Sequence, residues 1–464
     1  MGADQLHGIP ASPVTPVTDG YRANTHAREQ IVMTNTVQHQ ARVRVNRDGV
    51  VMRRDFLKGL STSGLAAGTL SWTEWAAANT DELRRQGKSC ILLWMSGGPS
   101  QYETFSPKPD NQAGGETQAI STTTAGIQVA QNLPKLAQQM QHLSIIRSMT
   151  SREGSHTRAS FLLHTGYLPA ATVKHPTWGS IVAHEIGDPD NELPAFVRIG
   201  SSRRGGSGGM LGVEYNPFVL SRAGSKPSHS TPTTSKKRFE RRLELSAKLE
   251  RDYEESNAGQ LVRDHQELAR KSARMILSPK MDAFDVSRES GSVRDAYGRS
   301  SFGTGCLVAR RLVEAGVSCI EVVSNGWDTH RDNFQRSKQL TTQIDQPAAH
   351  LVADLHQRGL LDNTLVIWMG EFGRTPRING NTGRDHYPRA WTMALAGGGI
   401  QGGQVIGKTD SSGARVADRP VTVADLFSTF CKSLHIDPTK ENMSPIGRPI
   451  KIVDGGKPVD ELFG

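Results

Sequence analysis

Residues 88–100 read Lys88-Ser89-Cys90-Ile91-Leu92-Leu93-Trp94-Met95-Ser96-Gly97-Gly98-Pro99-Ser100. The apolar run is short, continuous and stopped by turn residues, which fits a strand buried on both faces. Comparable runs occur at Leu143–Arg147, Ala195–Ile199, Val317–Val323, Leu365–Met369 and Thr392–Ala396. Between them lie helical patterns at Leu133–Met140, Trp178–Ile186, Phe302–Ala315, Lys338–Arg358 and Val423–His435. Strands alternating with helices predict a three-layer α/β fold, a mostly parallel sheet covered by helices on both faces. Residues 200–235 are rich in Gly, Ser and Pro and read as a long loop. Residues 236–277 are charged and helical, a solvated insertion. One domain over 79–464, with an insertion at about 200–280, is the simplest organisation.

Composition narrows the function classes. The chain has 464 residues, 36% hydrophobic and 22% charged, so a core is available and wholesale disorder is excluded. The net charge of +9 is spread thinly, with no basic stripe interleaved with aromatics, which argues against a nucleic-acid partner. No apolar stretch reaches the roughly 18 residues an integral membrane span needs. Cys90, Cys306, Cys319 and Cys431 are far apart and form no Cys-x-x-Cys pair, which excludes a disulfide scaffold and a thiolate zinc site. Cys90 and Cys431 read as small buried apolar groups, Cys306 and Cys319 are candidates for a bridge, and none reads as catalytic.

The N-terminus reads as an address. Arg53-Arg54-Asp55-Phe56-Leu57-Lys58, a weakly apolar Gly59–Trp75 and Ala76-Ala77-Ala78 make a twin-arginine export signal over 52–78. Met52 directly precedes the arginine pair, so the polar, aperiodic residues 1–51 read as an upstream extension. The expected localisation is periplasmic or secreted, with the twin-arginine machinery as a partner.

Two motif matches fail on context. Gly402-Gly403-Gln404-Val405-Ile406-Gly407-Lys408-Thr409 fits a phosphate loop, and Gly397-x-Gly399-x-x-Gly402 fits a dinucleotide fingerprint. Both need a helix to begin at the loop and aim its amides at phosphate. Asp410-Ser411-Ser412-Gly413-Ala414-Arg415 follows instead, with no helical period, and Val405-Ile406 reads as a short strand in a hairpin.

Four segments carry groups suited to chemistry. Asn325-Gly326-Trp327-Asp328-Thr329-His330 follows a strand, and ligands of open α/β sheets bind beyond carboxyl ends of strands. Gly370-Glu371-Phe372-Gly373-Arg374 follows another strand, and Gly383-Arg384-Asp385-His386 comes next. Imidazole with carboxylate suits zinc or manganese, and arginine grips phosphate or sulfate with two parallel hydrogen bonds. Asp328, His330, Glu371 and His386 are therefore expected on one divalent cation, with Arg374 and Arg384 as anion clamps. In Glu153-Gly154-Ser155-His156-Thr157-Arg158 a helix N-terminus presents Ser155, His156 and Thr157 where negative charge is favoured, and Ser155, His156 and Arg158, the last to hold anionic oxygens, are the candidate catalytic groups. The alternatives are that Asp328 or Thr329 caps the helix that follows, that His386 is a satisfied loop histidine, and that a Ser or Thr of 155–157 caps its helix with nothing bound.

With these residues in view, the chain resembles the twin-arginine-exported bacterial family called domain of unknown function 1501, of the alkaline phosphatase/sulfatase-like superfamily. The resemblance is carried by the twin-arginine start and by Leu92–Pro109, Glu153–Pro169, Trp327–Phe334 and Val366–Asp410. It implies an alkaline phosphatase/sulfatase-like fold and a divalent ion, zinc, manganese or calcium. Gly154–Pro169 is similar to the sulfatase segment bearing the nucleophile, without its cysteine. Glu371-Phe372-Gly373 stands where the superfamily has Asp-His-Gly, and His386 where it has its last metal histidine. Phe372 cannot ligate, and no aspartate ends the first strand, Glu103 being the nearest carboxylate downstream. The implied function is exported, metal-dependent hydrolysis of a phosphate or sulfate ester on a small anionic molecule or a glycan. The alternatives are an inactive relative binding an anionic glycan or cell-surface polymer, and a surface scaffold.

Overall fold

The computed structural model describes residues 87–464 apart from 203–204, 229 and 255–259. The extension over 1–51 and the export signal over 52–78 lie outside the described residues.

Eight strands form the central sheet: β1 (Ser89–Ser96), β2 (Leu143–Met149), β3 (Phe196–Ile199), β4 (Phe218–Leu220), β5 (Cys319–Asn325), β6 (Thr364–Met369), β7 (Trp391–Ala396) and β8 (Gln404–Ile406). Their order is β8-β2-β7-β6-β1-β5-β3-β4. Every pairing is parallel except the two made by β7, so β7 alone runs backwards. The residues of β1 from Cys90 to Met95 are buried on both faces, as their unbroken apolar run requires.

The main helices are α1 (His156–Thr165), α2 (Trp178–Ile186), α3 (Lys236–Glu254), α4 (Gln260–Leu277), α5 (Ser301–Glu314), α6 (Asn333–Gln357) and α7 (Val423–Leu434). Two buried clusters lie on opposite faces of the sheet. One packs α5 and α6 against alternate residues such as Ile91, Leu93, Ile320 and Val366. The other packs α2 and α7 against Leu92, Trp94, Leu365 and Ile367. The three-layer expectation holds.

Three local readings change. The insertion is a helix pair, α3 and α4, rather than one helical stretch. The loop over 200–235 contributes β4, the edge strand beside β3. Val405-Ile406 belongs to β8, which joins the main sheet in parallel with β2, while Lys408–Thr409 forms the hairpin with Val416–Asp418. No helix begins at Gly407, where Lys408–Thr409 continues as a strand, so the phosphate-loop match has no helix N-terminus to aim at a phosphate. Cys319 stands opposite Cys90 in the β1–β5 register rather than beside Cys306, and all four cysteines are free and buried.

Candidate metal centre

β6, β1 and β5 are neighbours in the sheet, and their registers bring Ser96 level with Asn325 and Trp94 level with Met369. The loops that follow therefore leave from one edge. Because β7 is reversed, the segment from Gly370 to Ala390 returns at that same edge, folding a ribbon that pairs Arg374 with His386. The chain after β2 adds the start of α1 there, where Ser151 N–H donates to the Pro388 carbonyl at 2.8 Å. Gly97 is the hub. Its φ is 119°, and a Cβ there would stand 2.4 Å from the Asp328 amide nitrogen, so only glycine fits. Its own N–H donates to both oxygens of the buried Glu371, at 3.0 and 3.1 Å.

Three imidazoles surround Asp328. His330 Nε2 and His386 Nε2 lie 3.1 and 3.3 Å from its Oδ1, and 3.0 Å from each other. His156 Nε2 lies 3.2 Å from its Oδ2. The far nitrogen of each ring is held by an acceptor: His156 Nδ1 by Glu371 at 2.7 Å, His330 Nδ1 by Asp385 at 2.8 Å, and His386 Nδ1 by the Gly154 carbonyl at 2.8 Å. Assigned from these partners, each Nδ1 carries a hydrogen, and each Nε2 of a neutral ring is a lone pair aimed inward. Lone pairs 3.0–3.3 Å apart repel unless a cation or a proton stands between them. The edge of a tetrahedron around an ion with bonds near 2.0–2.1 Å is about 3.3 Å, so the spacing fits a zinc-sized ion. His156 Nε2 is buried without an aligned hydrogen bond despite its closeness to Asp328, an orphan that a cation would satisfy. His156, Asp328 and His386 present ligand atoms within 4.8 Å of one another.

The electrostatics agree. Burial opposes a charge on His156, but the Asp328 and Glu371 carboxylates outweigh it and push the imidazole up to about 9. Burial alone would raise Asp328. The neighbouring His156 and His386 rings and the Arg374 guanidinium win and hold its carboxyl far below the usual carboxylate range. The Asp328 and His330 side chains remain 44% and 43% exposed, so the cluster opens to solvent.

The expected residues divide in three ways. Asp328, His330 and His386 come together as expected. His156, expected to be catalytic, instead points Nε2 into the cluster, and Glu371, expected as a ligand, stands behind His156 and fixes its ring. The two arginine clamps are corrected. Arg374 is wholly buried and spends its guanidinium on Asp328 Oδ1 at 2.7 Å and on the carbonyls of Gly97, Gly98, Trp327 and Arg384. Arg384, also wholly buried, pairs with Glu103 at 3.0 Å, donates to three loop carbonyls and lies over the Tyr102 ring. Neither has a face left for a substrate anion, and Glu103 is no metal ligand. The Arg158 fork is filled by Glu153 at 2.8 and 2.9 Å. Ser155 is exposed at the N-cap of α1, and its hydroxyl makes no cap hydrogen bond. Phe372 packs its ring 5.0 Å from that of His156 and 4.5 Å from that of His386 and offers no ligand atom. The imidazole-rich set suits zinc or manganese and not calcium, which takes oxygen ligands.

Residues 87–463 match the profile of the family described as "Protein of unknown function (DUF1501)". The chain belongs to that family. No curated relative matches this DUF1501 chain. Among solved structures it is similar to the PsFucS1 sulfatase from Pseudoalteromonas sp., at 16% identity and a TM-score of 0.36, covering 78% of this chain and 71% of that one. It is similar to the lipoteichoic acid synthase LtaP from Listeria monocytogenes at 9% identity and a TM-score of 0.35, covering 82% and 80%. The phosphonate monoester hydrolase SpPMH from Silicibacter pomeroyi gives 10% identity and a TM-score of 0.34, covering 81% and 77%.

Proposed function

We propose that this DUF1501 chain is an exported hydrolase of phosphate or sulfate esters that works with one divalent ion held by His156, Asp328, His330 and His386. The observation that carries the reading is the convergence of imidazole lone pairs on one carboxylate at the carboxyl edge of the sheet. A bound divalent ion polarises an ester oxygen and lowers the pKa of a nucleophile beside it. Glu371, Asp385 and the Gly154 carbonyl keep the three rings turned inward. Arg374 fixes Asp328 from behind and keeps it ionised. Ser155 is the candidate nucleophile, an exposed hydroxyl next to His156 at the start of α1, where the helix favours developing negative charge.

A second reading is a binding protein that keeps the ion and has lost turnover. It is favoured by Phe372, which packs a ring without any ligand atom against His156 and His386. Elemental analysis of the purified protein, paired with a panel of phosphate, phosphonate and sulfate esters, tests both. About one zinc or manganese per chain with chelator-sensitive hydrolysis supports the hydrolase. The ion without hydrolysis supports the binder, and no ion refutes both. Export rests on Arg53-Arg54 and the Ala76-Ala77-Ala78 site, and N-terminal sequencing of the secreted protein checks it.

A further inference from the structure

His156 opens α1, whereas Asp328 and His330 sit on the loop that follows β5. A second set of charged side chains, all buried, links the same two elements. His164 lies eight residues after His156 on α1, about 12 Å along the helix. Its Nδ1–H donates to the Ser160 carbonyl at 2.7 Å, and its ring lies 4.1 Å from that of Trp94 on β1. Its Nε2 lies 3.4 Å from Oε1 of Glu321 on β5. Glu321 Oε2 accepts from Arg198 Nε–H at 2.9 Å, and Arg198 stands level with Glu321 in the β3–β5 register. Arg198 also donates to the Gly205 carbonyl. The three side chains are 5% exposed or less.

Apolar packing holds α1 on the sheet without fixing its register. Its buried apolar residues are Ala159 and Leu163, and apolar burial has no direction. Among the described residues, His164–Glu321 is the one hydrogen bond between a side chain of α1 and a strand of the central sheet. Burial opposes a charge on Glu321, but Arg198 and His164 outweigh it and hold the carboxyl below its ordinary value. A buried charged group of this kind adds little net stability over apolar residues of similar volume, yet it can fix a register. Register matters at this helix. A slip of α1 by one residue moves His156 by about 1.5 Å, and a metal site tolerates misplacement of only about 0.5 Å.

We propose that His164 and Glu321 are positioning residues of the metal centre: their buried contact ties the helix that carries His156 to the strand that leads to Asp328, and so sets the distance between these two ligands. Arg198 holds the Glu321 carboxylate in place from β3. The inference rests on the reading of the cluster as a metal site. The part played by Glu371 is different, because it fixes the turn of the His156 ring and not the place of the helix that bears it.

The test is the zinc affinity of the full protein, read by competition with a chromophoric chelator in a double-mutant cycle. His164→Leu keeps the bulk and removes the contact, and is expected to weaken zinc binding on the order of tenfold. His164→Gln offers Glu321 a donor again and is expected to restore most of that loss. In a His156→Ala background zinc is left to Asp328, His330 and His386. There His164→Leu is expected to change affinity by no more than about twofold, because no His156 ring remains to be placed. Circular dichroism and urea unfolding check the fold of each variant. Should His164→Leu fail to fold, the same cycle with Glu321→Gln, which keeps the shape and an acceptor for Arg198, decides. Three results would each overturn the proposal: His164→Leu within about twofold of the wild type, Gln no better than Leu, or equal weakening with and without His156. The last is what loosened packing alone would give. A wild-type protein that binds no zinc overturns the reading of the cluster and this inference with it. Zinc on the wild type together with any of the three results overturns this inference alone.

Discussion

Glu371→Gln is the most revealing single change, because it removes one charge from a buried side chain and leaves its shape. Glu371 accepts the Gly97 N–H on both oxygens and His156 Nδ1–H at 2.7 Å on Oε1, with no exposure to solvent. A glutamine offers one acceptor and one donor where two acceptors are needed. Its amide must either face the Gly97 N–H or turn its NH₂ towards His156. In the first case a buried donor is left unpaired, at a cost of about 1–3 kcal/mol of stability. In the second the ring must put its hydrogen on Nε2, which removes the lone pair aimed at the cluster. Loss of such a supporting carboxylate typically weakens a metal site 10–100-fold, about 1.4–2.7 kcal/mol. The assay is competition for zinc against a chromophoric chelator, with urea denaturation of the apo protein in parallel. A Glu371→Gln protein that binds zinc within a factor of two of the wild type and also unfolds at the same urea concentration would refute the role assigned to Glu371.

Other consequences follow from the same geometry. With His156 held near 9 in the free cluster, a proton competes with the ion, so zinc affinity is expected to rise towards tenfold per pH unit between pH 6 and 8, measured by the same competition. The raised pKa also means that His156 stabilises the apo fold fully below its unfolded value of about 6.5, and this contribution is lost as pH rises through about 9. Thermal melts of the chelated protein at pH 6 and pH 9.5 check that sign. Arg384→Ala leaves Glu103 charged and buried, and is expected to cost about 3–5 kcal/mol in urea unfolding, a structural loss unlike that of an exposed clamp. The cysteines are buried, and burial pushes the Cys306 thiol up, so iodoacetamide is expected to label none of the four in the native protein and all of them in urea.

The fold was readable because its central strands are continuous apolar runs. Cys90–Met95 and Leu365–Met369 can be buried only on both sides, and periodicity reports that directly. Strand β4 was hidden because it has three residues at a sheet edge, too short for any period, and β8, equally short, showed as a strand at Val405-Ile406 but not where it pairs. At the site, the sequence offered the residue types and the strand ends but not the side-chain directions. Arg374 and Arg384 look identical to exposed clamps until their loops fold back and offer carbonyls to their guanidinium groups. The exchange of roles between His156 and Glu371 depends on Gly97, whose missing side chain admits the Trp327–Asp328 backbone and whose N–H holds Glu371 behind His156. A glycine pair after a buried strand was visible, but the partner it would meet 274 residues later was not.

The central claim is that one divalent ion sits among His156, Asp328, His330 and His386. Anomalous diffraction at the zinc edge, from crystals of the protein grown with zinc, tests it directly. A strong peak is expected about 2.0–2.2 Å from Asp328 and from the Nε2 atoms of His156, His330 and His386, with Glu371 hydrogen-bonded to His156 outside that shell. Zinc found elsewhere in such crystals, with no peak between those side chains, would contradict the account.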